Sequence, residues 1–248
     1  MNVPKDKLLV NEIFYSIQGE GKHIGYPAIF IRLFGCNNGC LFCDSAYAWN
    51  KHAIENNENK ERQVLTYKET IKQIQATSKK SNPKHWVITG GEPLLQQDRL
   101  IELFQEFKAL YKYLPYIEIE TNGTIFPKKE LDAFVDCYNV SPKLGKSMAD
   151  APASTYLKRI NKLALTFFKD SNKATFKFVV SEGSDLVEVE QIAREASIPK
   201  KLIYLMPLGK NTIELVRNNP LVFNLCLQKG YKFSPRLHIM LFGAKRKV

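Results

Sequence analysis

Three of the five cysteines, Cys36, Cys40 and Cys43, fall within eight residues in the pattern Cys-x3-Cys-x2-Cys. A loop of this length can wrap three thiolates around one centre, and Gly35 and Gly39 ease its turns. Thiolates are soft ligands that select zinc, copper(I) or iron–sulfur clusters. A structural zinc site closes with four protein ligands, and the loop supplies three. His23, His52 or Cys137 could complete a zinc knuckle. Alternatively, three thiolates hold a [4Fe–4S] cube and leave one iron open to a substrate or cofactor. Cys137 and Cys226 sit among Phe134, Val135, Leu225 and Leu227 and read as buried, inert thiols.

Other polar groups fall at the ends of apolar runs. Thr89-Gly90-Gly91-Glu92-Pro93 exposes backbone to which a ligand can come close, although glycines after a strand often only turn the chain. Glu120, before Thr121-Asn122-Gly123, could accept hydrogen bonds from a ribose or simply face water. Ser16-Ile17-Gln18-Gly19-Glu20-Gly21 is a glycine-rich turn that brings an amide and a carboxylate together. That pairing suits the edge of a guanine-like heterocycle, which offers N–H donors beside a carbonyl. Arg32 lies within the apolar run Ala28–Phe34. Burying an arginine costs heavily without an anion; the anion is either a bound carboxylate held in bidentate fashion or a protein partner such as Glu12 or Glu118.

Strand and helix patterns alternate along the chain. Strands are predicted at Ala28–Phe34, Trp86–Thr89, Tyr116–Glu120, Tyr138–Ser141, Ala174–Val180 and Leu202–Leu205. Helices are predicted at Thr66–Lys79, around Leu100–Leu110, near Lys129–Val135, at Ser154–Thr166, at Asp185–Ala196 and between Thr212 and Lys229, with Pro220 restarting the last one. Such alternation implies an α/β fold with a parallel sheet. Six units are too few for a closed eight-fold barrel, so the expectation is an open, partial (β/α)6 barrel, with Val10–Ser16 as an extra N-terminal strand. The whole chain, 1–248, reads as one domain with a polar insertion at about 50–62. Ligands in such folds sit at the carboxyl ends of strands, where the cysteine loop, Gly90–Pro93, Glu120–Gly123, Ser141-Pro142-Lys143 and Met206-Pro207 all fall.

The net charge is +11, but the lysines are scattered and no aromatic residues interleave with them as in an RNA-binding surface. A solvated basic surface that steers an anionic small molecule is expected, and no nucleic acid. The sequence has no membrane span of the ~20 residues required and no signal-peptide pattern at its start, so a cytoplasmic protein with reduced thiols is expected.

The cysteine spacing resembles that of the radical S-adenosylmethionine (SAM) enzymes. Their three thiolates hold a [4Fe–4S] cluster, SAM chelates the fourth iron, and one electron cleaves SAM to a 5′-deoxyadenosyl radical. Ser-Ile-Gln-Gly-Glu-Gly, Phe-Ile-Arg-Leu-Phe-Gly-Cys, Cys-Asp-Ser, Ile-Thr-Gly-Gly-Glu-Pro, Glu-Thr-Asn-Gly-Thr and Ser-Pro-Lys occur in that order across residues 16–143. Together they resemble the 7-carboxy-7-deazaguanine synthase family of 7-deazapurine (queuosine precursor) biosynthesis. The resemblance implies contraction of 6-carboxy-5,6,7,8-tetrahydropterin with loss of ammonia, a [4Fe–4S] cluster, SAM, Mg²⁺, an electron donor such as flavodoxin or ferredoxin, and a homodimer. It assigns Cys36, Cys40 and Cys43 to the cluster. Phe42, Cys43, Asp44, Gly91, Glu120, Ser141, Pro142 and Lys143 go to SAM, and Ile17, Gln18, Gly19, Glu20, Arg32 and Thr89 to the substrate. Ser45 stands where the family usually has threonine as Mg²⁺ ligand, and keeps its hydroxyl. Two competing readings are another small radical SAM enzyme, such as a glycyl-radical activase, and a non-catalytic metal–cysteine RNA-binding module.

Overall fold

The structure, a computed structural model, describes Pro4 and residues 6–50, 62–77 and 84–248. The predicted insertion at 50–62 and His52 lie almost wholly outside the described residues. Among the described residues nine strands make one sheet in the order β3-β1-β2-β4-β5-β6-β7-β8-β9. The parallel strands are β2 (Pro27–Leu33), β4 (His85–Gly90), β5 (Tyr116–Thr121), β6 (Cys137–Val140), β7 (Ala174–Val180), β8 (Ile203–Pro207) and the short β9 (Lys232–Phe233). β1 (Lys7–Ile17) runs antiparallel to β2, and β3 (Gln63–Thr66) antiparallel to β1. The sheet is open, as a partial barrel requires. The helices are α1 (Tyr67–Thr77), α2 (Gln97–Tyr111), α3 (Lys129–Asp132), α4 (Ala153–Leu157), α5 (Lys162–Asp170), α6 (Asp185–Glu195), α7 (Thr212–Lys229) and α8 (Leu237–Phe242).

Alternation along each strand divides its side chains between two faces. Ile29, Ile31 and Leu33 of β2, Ile88 of β4, and Ile117 and Ile119 of β5 join Leu100, Leu103 and Phe104 of α2 in the main core. The intervening residues make the inner face. There Phe14, Ala28, Phe30 and Val87 form a small apolar patch. Toward the carboxyl ends, Arg32 pairs in register with Thr89, and Glu120 with Asn139, so one polar layer crosses four strands. β1 supplies Glu12 to this layer through a register shift between Val10 and Glu12. Leu8 and Val10 face the helix side in the main core, whereas Glu12 sits opposite Arg32. The extra residue, Asn11, turns the strand over, as bulges do.

Several elements differ from the sequence expectation. β3 was not predicted; its four residues are too few to show periodicity, and pairing to β1 forms the strand. The predicted helix Ser154–Thr166 is two, α4 and α5, because Asn161 caps the second by accepting from the Ala164 N–H. α3 is one turn rather than two. Pro220 does not restart a helix: α7 runs unbroken through it. Pro220 lies on the exposed side, so its lost hydrogen bond leaves a carbonyl that water can serve. The start of α7 is fixed upstream instead, by Asn211, whose side chain caps it by accepting from Glu214 N and donating to the Glu214 carboxylate.

Glu92 ties the carboxyl ends of β4 and β5. Its buried carboxylate accepts from Leu94 N at 3.0 Å, Thr121 Oγ1 at 2.9 Å and Asn122 N at 2.7 Å. Burial raises its pKa despite these bonds. Glu92→Gln keeps the shape but turns an amide donor toward one of these donors. The expected cost is about 1–3 kcal/mol, the price of a buried unpaired donor, seen as a lower urea midpoint; an unchanged midpoint would show that Glu92 is not a structural tie.

Candidate active site

The cysteine loop leaves β2 and is held by three neighbouring strand ends. Gly35 O accepts from Glu92 N at 2.8 Å, after β4. Asn37 Oδ1 accepts from Asn122 Nδ2 at 2.9 Å, and Asn37 Nδ2 donates to Thr124 Oγ1 at 2.8 Å, after β5. Leu41 N donates to Ser147 O at 2.9 Å, after β6. Gly91 packs so closely that a Cβ there would lie 2.1 Å from Gly35 O and 2.8 Å from Cys36 Cβ. Only glycine permits this approach.

Cys36, Cys40 and Cys43 are free and half-buried. All three line one cavity of about 480 Å³, as does every other residue that the sequence singled out for the cluster, SAM, Mg²⁺ or substrate. Met206 lines it too. His23 and Cys137, proposed above as fourth zinc ligands, do not line this cavity.

The residues fit a thiolate-bound cluster. Burial pushes the Cys36 thiol up to about 12, and the Glu92 carboxylate and the other two sulfurs push the same way; burial also raises Cys40. Such thiols are weak nucleophiles alone and ionise when a metal replaces the proton. Donors already face the sulfurs: Trp49 Nε1 is 3.2 Å from Cys43 Sγ, and Asn38 N is 3.4 Å from Cys36 Sγ. Such outer hydrogen bonds orient and tune metal ligands. The cavity volume is that of a small-molecule site. Ser45 Oγ stands 3.7 Å from Cys43 Sγ and is a hard oxygen of the kind that could serve Mg²⁺, an ion that commonly takes few ligands from protein.

Arg32, which lines the same cavity, donates through Nε to Glu12 at 2.8 Å. Glu12 also accepts from Tyr47 Oη and from Arg246, each at 2.8 Å. Among the described residues, the terminal nitrogens of Arg32 make no hydrogen bond, and the residue lines the cavity. The partner predicted as one possibility, Glu12, therefore holds one edge of the guanidinium and leaves another. Glu118, the other possibility, bonds His23 and His85 instead.

Gln18 and Glu20 are already engaged within the protein. Gln18 Nε2 donates to Glu118 at 3.0 Å and to Glu120 at 3.1 Å, and its carbonyl accepts from Glu20 N at 3.2 Å. Glu120 also accepts from Thr89 Oγ1 at 2.7 Å. Glu20 pairs with Lys177 and, at 2.8 Å, with Arg236 Nε. Burial alone would raise its pKa; the two cations outweigh that and hold it well below the usual carboxylate range. Arg236 bonds Asp44 of the cysteine loop as well. Burial lowers the pKa of His238, whose imidazole lines the cavity 3.8 Å from Glu20.

Lys177, Asn139, Tyr47, Trp49 and His238 line the cavity but escaped the sequence reading. Lys177 carried a usable signal, a cation inside the apolar run Ala174–Val180, the same signal that picked out Arg32. Asn139 and His238 carried none.

Residues 30–217 match the Radical SAM superfamily. The 7-carboxy-7-deazaguanine synthase of Pyrobaculum aerophilum is 37% identical over 241 residues, 97% of each chain. That of Halobacterium salinarum is 34% identical over 95% of this chain and 91% of its own, and that of Rhodopirellula baltica 32% identical over 98% and 89%. The crystal structure of QueE from Escherichia coli shares the fold, with a TM-score of 0.65 at 24% identity over 94% of this chain and 95% of the other. Full-length likeness of this kind decides against the glycyl-radical activase and RNA-module readings, and the chain belongs to the 7-carboxy-7-deazaguanine synthase family of the radical SAM superfamily.

Proposed function

We propose that this protein contracts 6-carboxy-5,6,7,8-tetrahydropterin to 7-carboxy-7-deazaguanine with loss of ammonia, as a radical SAM carbon–nitrogen lyase in 7-deazapurine biosynthesis. The observation that carries this reading is the gathering of every motif, from Ile17 to Lys143, around one cavity, in a chain of this family. Cys36, Cys40 and Cys43 would hold a [4Fe–4S] cluster that, with SAM bound, supplies a 5′-deoxyadenosyl radical. Gly91, Phe42, Asp44, Glu120, Ser141, Pro142 and Lys143, which line the cavity, would wall the side that takes SAM. Ser45 contributes a hydroxyl to Mg²⁺.

Arg32 is assigned the substrate carboxylate. Glu12 fixes its Nε edge, which orients the remaining donors without using them, and a planar guanidinium sets a carboxylate in distance and direction. Gln18 is locked by Glu118 and Glu120, so its place on the cavity wall is settled before substrate arrives, as preorganised binding demands. The chain works as one cytoplasmic domain, as a homodimer, and receives electrons from a flavodoxin- or ferredoxin-type donor. Among the described residues no helix is long and apolar enough to cross a membrane.

The direct test is anaerobic: reconstituted protein with the carboxypterin, SAM, Mg²⁺ and reductant should release 7-carboxy-7-deazaguanine, identified by mass, and omission of Mg²⁺ should slow it. Absence of product from protein with a full cluster and demonstrable SAM cleavage would overturn the assignment. Cys36→Ala, Cys40→Ala and Cys43→Ala should each abolish the intact cluster's visible absorption and product formation, while Cys137→Ala and Cys226→Ala retain both; loss of cluster in the Cys137 variant would contradict a three-cysteine site. Arg32→Lys should keep fold, cluster and SAM binding but lower product per cluster by about 100-fold, the cost of a displacement near 1 Å. A folded, loaded Arg32→Lys with near-normal turnover would make Arg32 only the ion-pair partner of Glu12.

A further inference from the structure

A second group of chemistry-bearing side chains lies on the inner face of the sheet, away from the cysteine loop. His85 opens β4 and Gly90 closes it; five residues at strand rise put the two ends about 16 Å apart. At the amino end His23, His85 and Glu118 converge, each offering one ligand atom, with all three atoms within 4.8 Å of one another. His23 Nδ1 is 2.6 Å from Glu118 Oε2, and His85 Nε2 is 3.2 Å from the same oxygen. Their side chains are 13%, 8% and 1% exposed, in the order His23, His85, Glu118, so only His23 opens toward solvent.

We propose that His23, His85 and Glu118 form a zinc site of three protein ligands with its fourth position left to water, separate from the cluster and from Mg²⁺ and independent of the ring-contraction reading. Two imidazoles and one carboxylate are a donor set that zinc uses, with water completing a tetrahedron. Zinc bonds of about 2.0–2.1 Å in a tetrahedron set ligand atoms about 3.3 Å apart. The His85–Glu118 pair already stands at that spacing, and the His23–Glu118 pair has to open by about 0.7 Å, starting from the 2.6 Å contact.

The surroundings have the parts that metal sites carry outside their ligands. The second oxygen of Glu118 is held by Gln18 Nε2 at 3.0 Å. The far nitrogen of His23 faces Tyr116 Oη at 3.5 Å. The Tyr116 ring meets His23 and His85 edge-on at 5.2 and 5.0 Å, and Tyr26 meets His23 at 5.6 Å, which gives the site aromatic walls. Placed here, zinc would pin the segment bearing Gln18, Gly19 and Glu20 to β4 and β5, because that segment runs directly into the 3₁₀ turn that carries His23.

The experiment uses cluster-loaded protein exposed anaerobically to zinc and then dialysed against a weak chelator. Iron and zinc per chain are counted by mass spectrometry, and the zinc X-ray absorption edge is recorded. The expected result is about one zinc per chain with only nitrogen and oxygen neighbours and imidazole scattering. His85→Asn should lower retained zinc by at least roughly tenfold with iron unchanged. His23→Asn, at the more exposed ligand, does the same and serves if the His85 variant fails to fold. Wild type that retains no zinc would overturn the proposal, leaving three groups that only hydrogen-bond one another. So would zinc with sulfur neighbours, which belongs to the cysteines, or zinc kept in full by the folded histidine variants.

Discussion

Much of this molecule depends on how Glu20 is neutralised. A buried carboxylate without a partner is among the most expensive features a fold can contain, and removing one member of a buried pair costs about 3–5 kcal/mol. Glu20 meets this constraint with cations from two distant places: Lys177 from β7 and Arg236 from the segment before α8. Arg236 then reaches Asp44, next to Cys43. Four pieces of chain, far apart in sequence, are joined through one carboxylate. The turn bearing Gln18, the seventh strand, the C-terminal segment and the cysteine loop cannot move independently while this network holds.

The same logic explains why the inner face of the sheet tolerates so many charges. Each carboxylate on it has donors from more than one element. Glu12 meets Arg32, Tyr47 and Arg246; Glu118 meets Gln18, His23 and His85; Glu120 meets Gln18 and Thr89. Charges spaced along β1 and β5 thus become links between strands and loops. Rigidity at the cavity wall follows from satisfying these groups, because a network with one member missing is worse than an apolar wall.

Most of the fold and much of the cavity could be read in the sequence, for local reasons. Apolar runs of strand length and the helical spacing at Leu100, Leu103, Phe104 and Phe107 are local signals, so six of the seven parallel strands came through, and the two-residue β9 did not. The cysteine loop and Gly90–Pro93 are motifs whose spacing is itself the chemistry. What failed was mostly non-local, with Asn161 a local exception whose side chain caps a helix three residues on. β3 exists because β1 offers it an edge. The change of face at Asn11 leaves no mark in composition. Asn161 splits a helix that its neighbours would otherwise continue. His238 and Asn139 reach the cavity only through the path of the chain, and neither has a distinctive sequence neighbourhood.

Arg32 shows how a structural partner and a ligand need not compete. From sequence, a buried arginine implied either a protein carboxylate or a bound one. In the fold Glu12 sits opposite Arg32 because a bulge at Asn11 brings it to that face, and it takes only Nε. A guanidinium has five N–H donors in one plane, so one carboxylate at one edge leaves donors for a second anion and fixes their direction. The ion pair that makes Arg32 tolerable on its own would thus also aim it at a second carboxylate, the role proposed for it above. A lysine would satisfy Glu12 equally well as a charge, yet its single ammonium could not hold one carboxylate and aim at another along a fixed axis.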